Sequence, residues 1–226
     1  MQKTKNIVIG SDCYERIPLR THVITPGESM PEIVQRYASP HLYAGDSIVI
    51  SERIVAISQG RSFPIQDIHP GWWARHLYPF VHNHPGGIGL RDPHTMQLAI
   101  QEAGVARILL AGVASAVTKP FGIKGVFYHV AGHGINAIDG PCDYTLPPGN
   151  TSAKLGPKDP ERVSREIADV VGYPVAIIDA NDYGVNVLGA SDGVDKRLIH
   201  DAFLDNPMGQ TDEQTPITIL RQVSSS

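Results

Sequence analysis

Cysteine is nearly missing from this chain: Cys13 and Cys142 are the 2 among 226 residues. That excludes a scaffold built on disulfides and fits a reducing compartment, so a cytoplasmic location is expected. Long apolar runs are missing too. None approaches the roughly 18–20 residues that a bilayer-spanning helix needs, and the apolar run after Met1–Asn6 is too short for a signal peptide. No membrane partner is therefore expected. Positive charge is not in excess: 19 Lys and Arg face 23 Asp and Glu, for a net charge of -4. Without a basic face to offset phosphates, a nucleic-acid partner is not expected. Walker and dinucleotide-binding glycine loops are absent. Gly86-Gly87-Ile88-Gly89 precedes a helix start at Asp92, whose own charge opposes an anion there. There is no internal repeat and no low-complexity tract.

What is present is an ordinary globular composition, 42% hydrophobic and 19% charged, with 22 Gly and 18 Pro that call for many turns. The length suffices for one domain over 1–226, able to divide into two lobes around the irregular segment 62–132. Lys5–Gly10, Ile17–Ile24 and Ile48–Ser51 carry the β-branched residues of strands. Ser29-Met30-Pro31-Glu32 has the spacing of a capping box and predicts a helix over Met30–Tyr37. Asp92-Pro93 and Asp159-Pro160 open further helices, closed by Gly104 and Gly172. Gly193-Val194-Asp195 leads a last helix. Val105–Val117 is apolar throughout and fits either a helix or a buried strand. Val126–Val130, Ile135–Ile138, Val175–Ile178 and Ile217–Leu220 read as strands. Helices and strands mix without a βαβ rhythm, which predicts an α+β protein with mixed, largely antiparallel sheets and several short helices.

Two strand ends run into acidic turns: Ile138-Asp139-Gly140-Pro141-Cys142-Asp143 and Ile178-Asp179-Ala180-Asn181-Asp182. Mg²⁺ and Mn²⁺ take oxygen ligands, commonly one or two carboxylates with substrate phosphates, so Asp139, Asp143, Asp179 and Asp182 are the candidate metal ligands. Asp and Asn also favour turns for purely structural reasons. His82-Asn83-His84-Pro85 resembles the His-x-His-Pro element of JAMM-type zinc metalloproteins. Thr95 stands near where that element's acidic third ligand is due, and a polar loop is the plainer alternative. Trp72-Trp73 suits a core or interface plug, or a stacking platform.

The segment Ala44-Gly45-Asp46 through Gln59-Gly60-Arg61 and the tail Met208-Gly209-Gln210-Thr211-Asp212-Glu213 through Arg221 resemble the opening and closing motifs of the coenzyme F420-0:gamma-glutamyl ligase family. The likeness covers Ile17 to Arg61, His133 to Ile178, and Met208 to Arg221, and fades between Ser62 and Gly132. It implies that family's α+β fold, a homodimer and a small-molecule substrate. It also implies a GTP-dependent ligase using Mg²⁺ or Mn²⁺, with potassium, to join L-glutamate to a carboxylate such as F420-0. On that resemblance Arg53, Arg61, His133, Asn181 and Glu213 are expected at substrate or nucleotide, while no catalytic residue is assigned. The chain departs from the family at its motif Asp-Thr-aromatic-Gly-Arg-Pro-Trp-Arg. Here Asn181-Asp182-Tyr183-Gly184-Val185-Asn186-Val187-Leu188 lacks both arginines. Two alternatives follow: a paralogue that binds metal and a phosphorylated metabolite without ligating, and a zinc hydrolase using His82 and His84.

Overall fold

A computed structural model describes residues 5–81, 89–123, 125–132, 134–142, 147–181, 184–209 and 213–223. His82, His84, His133, Asp143 and Asp182 lie outside the described residues. The chain forms two compact units, 1–60 with 157–226, and 61–156.

The first unit opens with β1 (Asn6–Ile9), β2 (Asp12–Leu19), α1 (Met30–Ala38), β3 (Ser47–Ser51) and α2 (Glu52–Ser58). The second unit holds β4 (Ser62–Pro64), α3 (Trp72–Leu77), α4 (Pro93–Ala103), α5 (Val105–Thr118), α6 (Val126–Ala131) and β5 (Ser152–Lys154). The chain then completes the first unit with α7 (Pro160–Val171), β6 (Val175–Asn181), β7 (Gly184–Ala190), α8 (Lys196–Phe203) and β8 (Ile217–Val223). The α+β class read from the sequence holds: a mixed six-stranded sheet, order β1-β2-β8-β3-β6-β7, and a two-stranded β4-β5 pair. Only β3 and β6 pair in parallel among these strands.

Period-two alternation explains why the large sheet is covered on both faces. Ile48, Ile50, Val175, Ile177, Ile217 and Ile219 face one core with Val34 of α1 and Ile167 of α7. The residues between them, Val49, Ala176, Ile178 and Leu220, face the other with Ile199 and Phe203 of α8. A charged group is set into this framework. Arg16 of β2 is fully buried, and its guanidinium donates to the carbonyl of Ala202 near the end of α8 and to both carboxylate oxygens of Asp205.

The second unit has its own core, from Met96, Leu98, Ala99, Ile108, Ala111, Ala131 and Ile135 among others. Here the sequence reading needs correction. Val126–Val130, expected as a strand, is helix α6, bounded by Gly125 and Gly132, both at positive φ. Its Phe127, Tyr128 and Val130 pack on the α4–α5 core, so tertiary packing overrides β-branched and aromatic propensity. Ile135–Ile138, also expected as a strand, is a 3₁₀ turn over Ile135–Ala137, followed by a single bridge from Asp139 to Lys154. The second strand ends at Leu19, not at Ile24. Strand β7 and helix α2 have no counterpart in the sequence reading. Ser29 sits at the start of α1 but makes no side-chain cap, whereas Asp92 and Asp195 do cap α4 and α8.

Removing Asp205 strands a buried cation, whereas removing Arg16 takes the cation away with it. Asp205→Ala is therefore expected to cost stability toward the low end of about 3–5 kcal/mol, since Asp205 is partly solvated. Arg16→Met should cost less. Urea unfolding of the two variants checks the order.

Candidate functional site at one end of the sheet

Strand directions decide where the site lies. β8 is antiparallel to both β2 and β3, and β6 is parallel to β3, so β2, β3 and β6 all run the same way. Their C-terminal ends meet the N-terminal end of β8 at one end of the sheet. The register is tight there: Ile217 sits opposite Leu19 on one side and Ile50 on the other, and Ser51 lies beside Ile178. Two backbone bonds hold the loop before β8 in place, Thr21 N to Gln214 O at 3.1 Å and Ser51 N to Pro216 O at 2.8 Å.

Four of the residues singled out in the sequence lie at this end. Asp179 and Asn181 occupy the last turn-ward positions of β6, both half-buried. Arg53, half-buried, is the second residue of α2, which starts directly from the end of β3. Glu213 precedes β8, and its carboxylate lies against Gly209: a Cβ added there would stand 2.3 Å from its Cδ. Gly209 has φ 79, and Thr215 Oγ1 closes the same loop by donating to Met208 O at 2.7 Å. The loop is thus shaped so that Glu213 fills the space a side chain would take.

Asp139 and Arg61 belong to the other unit. Asp139 accepts from Gly140 N through its own carboxylate and bridges to Lys154 through its backbone. Arg61 Nε donates to Gly156 O at 2.6 Å, and Nη2 pairs with Glu102 at 2.9 Å. Those bonds tie Arg61 into its own unit's frame. Trp72 and Trp73 do not plug a core: they are 62% and 42% exposed, edge to face, with His76 stacked on Trp72 at 4.1 Å.

Among the described residues no group of three or more His, Cys, Asp or Glu is placed to hold a metal by itself. Asp179 and Glu213, at the sheet end, supply oxygen donors of the kind hard cations prefer. That set suits the mode in which one or two carboxylates share the ion with phosphate oxygens, rather than a closed protein cage. Glu52, between Ser51 and Arg53 at the same end, is 4% exposed. The sequence reading passed over it, although an acid inside the apolar run Ser47–Ser58 is the signal that marks a buried carboxyl.

Just beyond β2, a side-chain clamp joins the strand exit to α1. His22 Nε2 meets Glu28 Oε2 at 2.6 Å, and His22 Nδ1 meets the Tyr37 hydroxyl at 2.8 Å. Thr25 donates to Glu28 Oε1 from both its hydroxyl and its backbone N–H. The hydrogen bond from His22, then those from Thr25, hold Glu28 well below the usual carboxylate range, at about 2.

The missing arginines have a structural counterpart. Of the two positions where the motif has arginine, Val185 lies opposite Ala180 in β7 and packs, half-buried, on the core that α8 covers, and Leu188 is half-buried further along the strand. Neither side chain offers an anion a donor.

A family model described as F420-0:Gamma-glutamyl ligase matches residues 18–197 of the chain. No curated protein matches it.

Two outcomes follow from this geometry. Because the folded state depresses the Glu28 pKa, its stabilising contribution is complete above the ordinary carboxylate range and is lost as pH falls toward 2. Glu28→Gln should flatten the acid limb of a pH–stability curve while leaving the neutral-to-alkaline limb parallel to the wild type. Gly209→Ala must displace the Glu213 carboxylate and hold alanine at positive φ, at a cost of about 1–2 kcal/mol. It should lower the melting temperature, as differential scanning fluorimetry would record.

Proposed function

The chain belongs to the F420-0:gamma-glutamyl ligase family, and from that premise we propose that it forms an amide bond between the amine of L-glutamate and a carboxylate substrate such as F420-0, at the expense of GTP. What supports this reading is the placement of Arg53, Asp179, Asn181 and Glu213 at one end of the six-stranded sheet. Carboxylates and a guanidinium at that end, from α2, β6 and the loop before β8, suit a phosphorylated substrate.

In the proposed reaction the substrate carboxylate oxygen attacks the γ-phosphorus of GTP, giving an acyl phosphate and GDP. The glutamate amine then attacks the acyl carbon, inorganic phosphate leaves, and the amine proton passes to solvent. A divalent cation, Mg²⁺ or Mn²⁺, supplies charge neutralisation at the transferring phosphoryl group when bound, with potassium as a second ion. Asp179 and Glu213 are the described carboxylates of the first unit that would hold it, with Asp182, outside the described residues, as the third candidate there. Arg53 faces the anionic substrate, and Asn181 offers an amide to the nucleotide or the acceptor. The working form in this reading is a cytoplasmic homodimer acting on small molecules.

Steady formation of a glutamylated product with GDP release tests the reading directly. Asp179→Asn should reduce that rate by about 100-fold or more while leaving the melting temperature close to wild type. A ligand at 100 times its Kd stabilises the native state by about 2.7 kcal/mol, which is roughly 5–10 °C for a chain of this size. GDP with Mn²⁺ should produce a shift of that order.

One observation favours a second reading. Because Val185 and Val187 pack on the core where the family motif places Arg and Trp, the chain also fits a paralogue that binds metal and a phosphorylated metabolite without ligation. A full melting-temperature shift with GDP and Mn²⁺, but no glutamylated product, would select it.

A further inference from the structure

The connection from β2 to α1 carries a chain of side-chain hydrogen bonds that the ligation chemistry does not use. It links Tyr37, next to last in α1, to His22 and Glu28. Glu28 Oε1 accepts from the hydroxyl of Thr25 at 2.8 Å and from its backbone N–H. Glu28 Oε2 meets His22 Nε2 at 2.6 Å. The two bonds from Thr25 already close the turn, so the imidazole is not needed for that.

The direction of each proton follows from the partners. Glu28 is held at about 2 by the hydrogen bond from His22 and then by those from Thr25, so it is ionised at neutral pH and only accepts. His22 Nε2 therefore carries a proton. In the neutral ring that leaves Nδ1 as an acceptor, and the Tyr37 hydroxyl donates to it at 2.8 Å. The Tyr37 oxygen accepts in turn from the backbone N–H of His22 at 3.2 Å, a donor placed to stabilise negative charge as it develops there. A hydroxyl on a base that a third group orients is the general arrangement of an activated nucleophile. The Tyr37 ring packs on the core that α1 and α7 cover, while the side chains of His22 and Glu28 are 36% and 29% exposed, so the relay borders solvent.

We propose that Tyr37 is a nucleophilic phenol that takes up an activated acyl group covalently, with His22 as its general base and Glu28 positioning the ring. The Tyr37 oxygen attacks the acyl carbon, and its proton passes to His22 Nδ1. The bond to the leaving group breaks, and that group departs with the electron pair and takes the proton from Nδ1. The products are an O-acyl tyrosine, the protonated leaving group and a neutral imidazole. None of the three residues is among those assigned to ligation, and acylation of Tyr37 is measured without that reaction.

Treating the native chain with N-acetylimidazole and locating the label by peptide mass spectrometry tests this. Tyr43, 66% exposed and outside the relay, is the comparator in the same molecule. Exposure alone would make Tyr43 react first, whereas a base on Tyr37 reverses the order. Tyr37 should be acetylated at least about tenfold faster than Tyr43, below the full contribution of a positioned base because its ring is half-buried. His22→Phe keeps a ring beside Tyr37 and removes the base, so Tyr37 labelling should fall by about tenfold or more while Tyr43 is unchanged. Glu28→Gln offers an N–H to Nε2, lets Nδ1 carry the proton, and should lower Tyr37 labelling as well. If His22→Phe does not fold, the wild-type ratio of Tyr37 to Tyr43 and Glu28→Gln still decide. Tyr37 reacting no faster than Tyr43 overturns the proposal. So does a folded His22→Phe variant in which Tyr37 reacts as fast as in the wild type or faster, which would leave the three residues a clamp alone.

Discussion

The insertion of β8 between β2 and β3 is the constraint on which the rest of unit one depends. It brings the far end of the chain into the middle of the sheet, and its register sets Ile217 against Leu19 and Ile50 at once. Shifting β8 by one residue would turn Ile217 and Ile219 from one core to the other and bring Thr218 out of place. It would also move the loop that carries Glu213 away from the ends of β3 and β6. Packing on both faces of the sheet therefore fixes the position of the polar groups at its end.

The same framework explains why a buried arginine is tolerated. Arg16 lies in β2, beside β8, and reaches the last turn of α8 and Asp205, two residues past its end. Its bonds to Ala202 O and Asp205 tie the helix covering the second core to the strand beside the centre of the sheet. The hydrophobic layers supply most of the driving force, and this pair specifies where α8 stops.

Much of the fold was legible in the sequence where local signals and tertiary packing agree. The Asp-Pro starts and Gly stops of α4 and α7, the strand Ser47–Ser51, and the last strand were marked by caps and alternation. Val126–Val130 was misread because its residues favour strands, and only the neighbouring helices make it α6. Strand β7 was missed because glycine, asparagine and valine alternate there without a clean polar face. For the site, the types of residue were legible but not their grouping. Arg53, Asn181, Asp179 and Glu213 come to the same end of the sheet through strand order, which no local pattern encodes. Glu52 was overlooked because an acid among isoleucines reads as an interruption rather than as a buried group.

The second unit enters and leaves the chain at one place. Leu155 N bonds to Arg61 O at 2.9 Å, and the Arg61 side chain caps Gly156, while Gln59 bonds both the N–H and the carbonyl of Lys158. Incoming and outgoing segments are thus stitched side by side, like the two edges of a pocket sewn onto cloth. A module fastened that way can be lengthened, shortened or rewritten between its seams while the host sheet keeps its register.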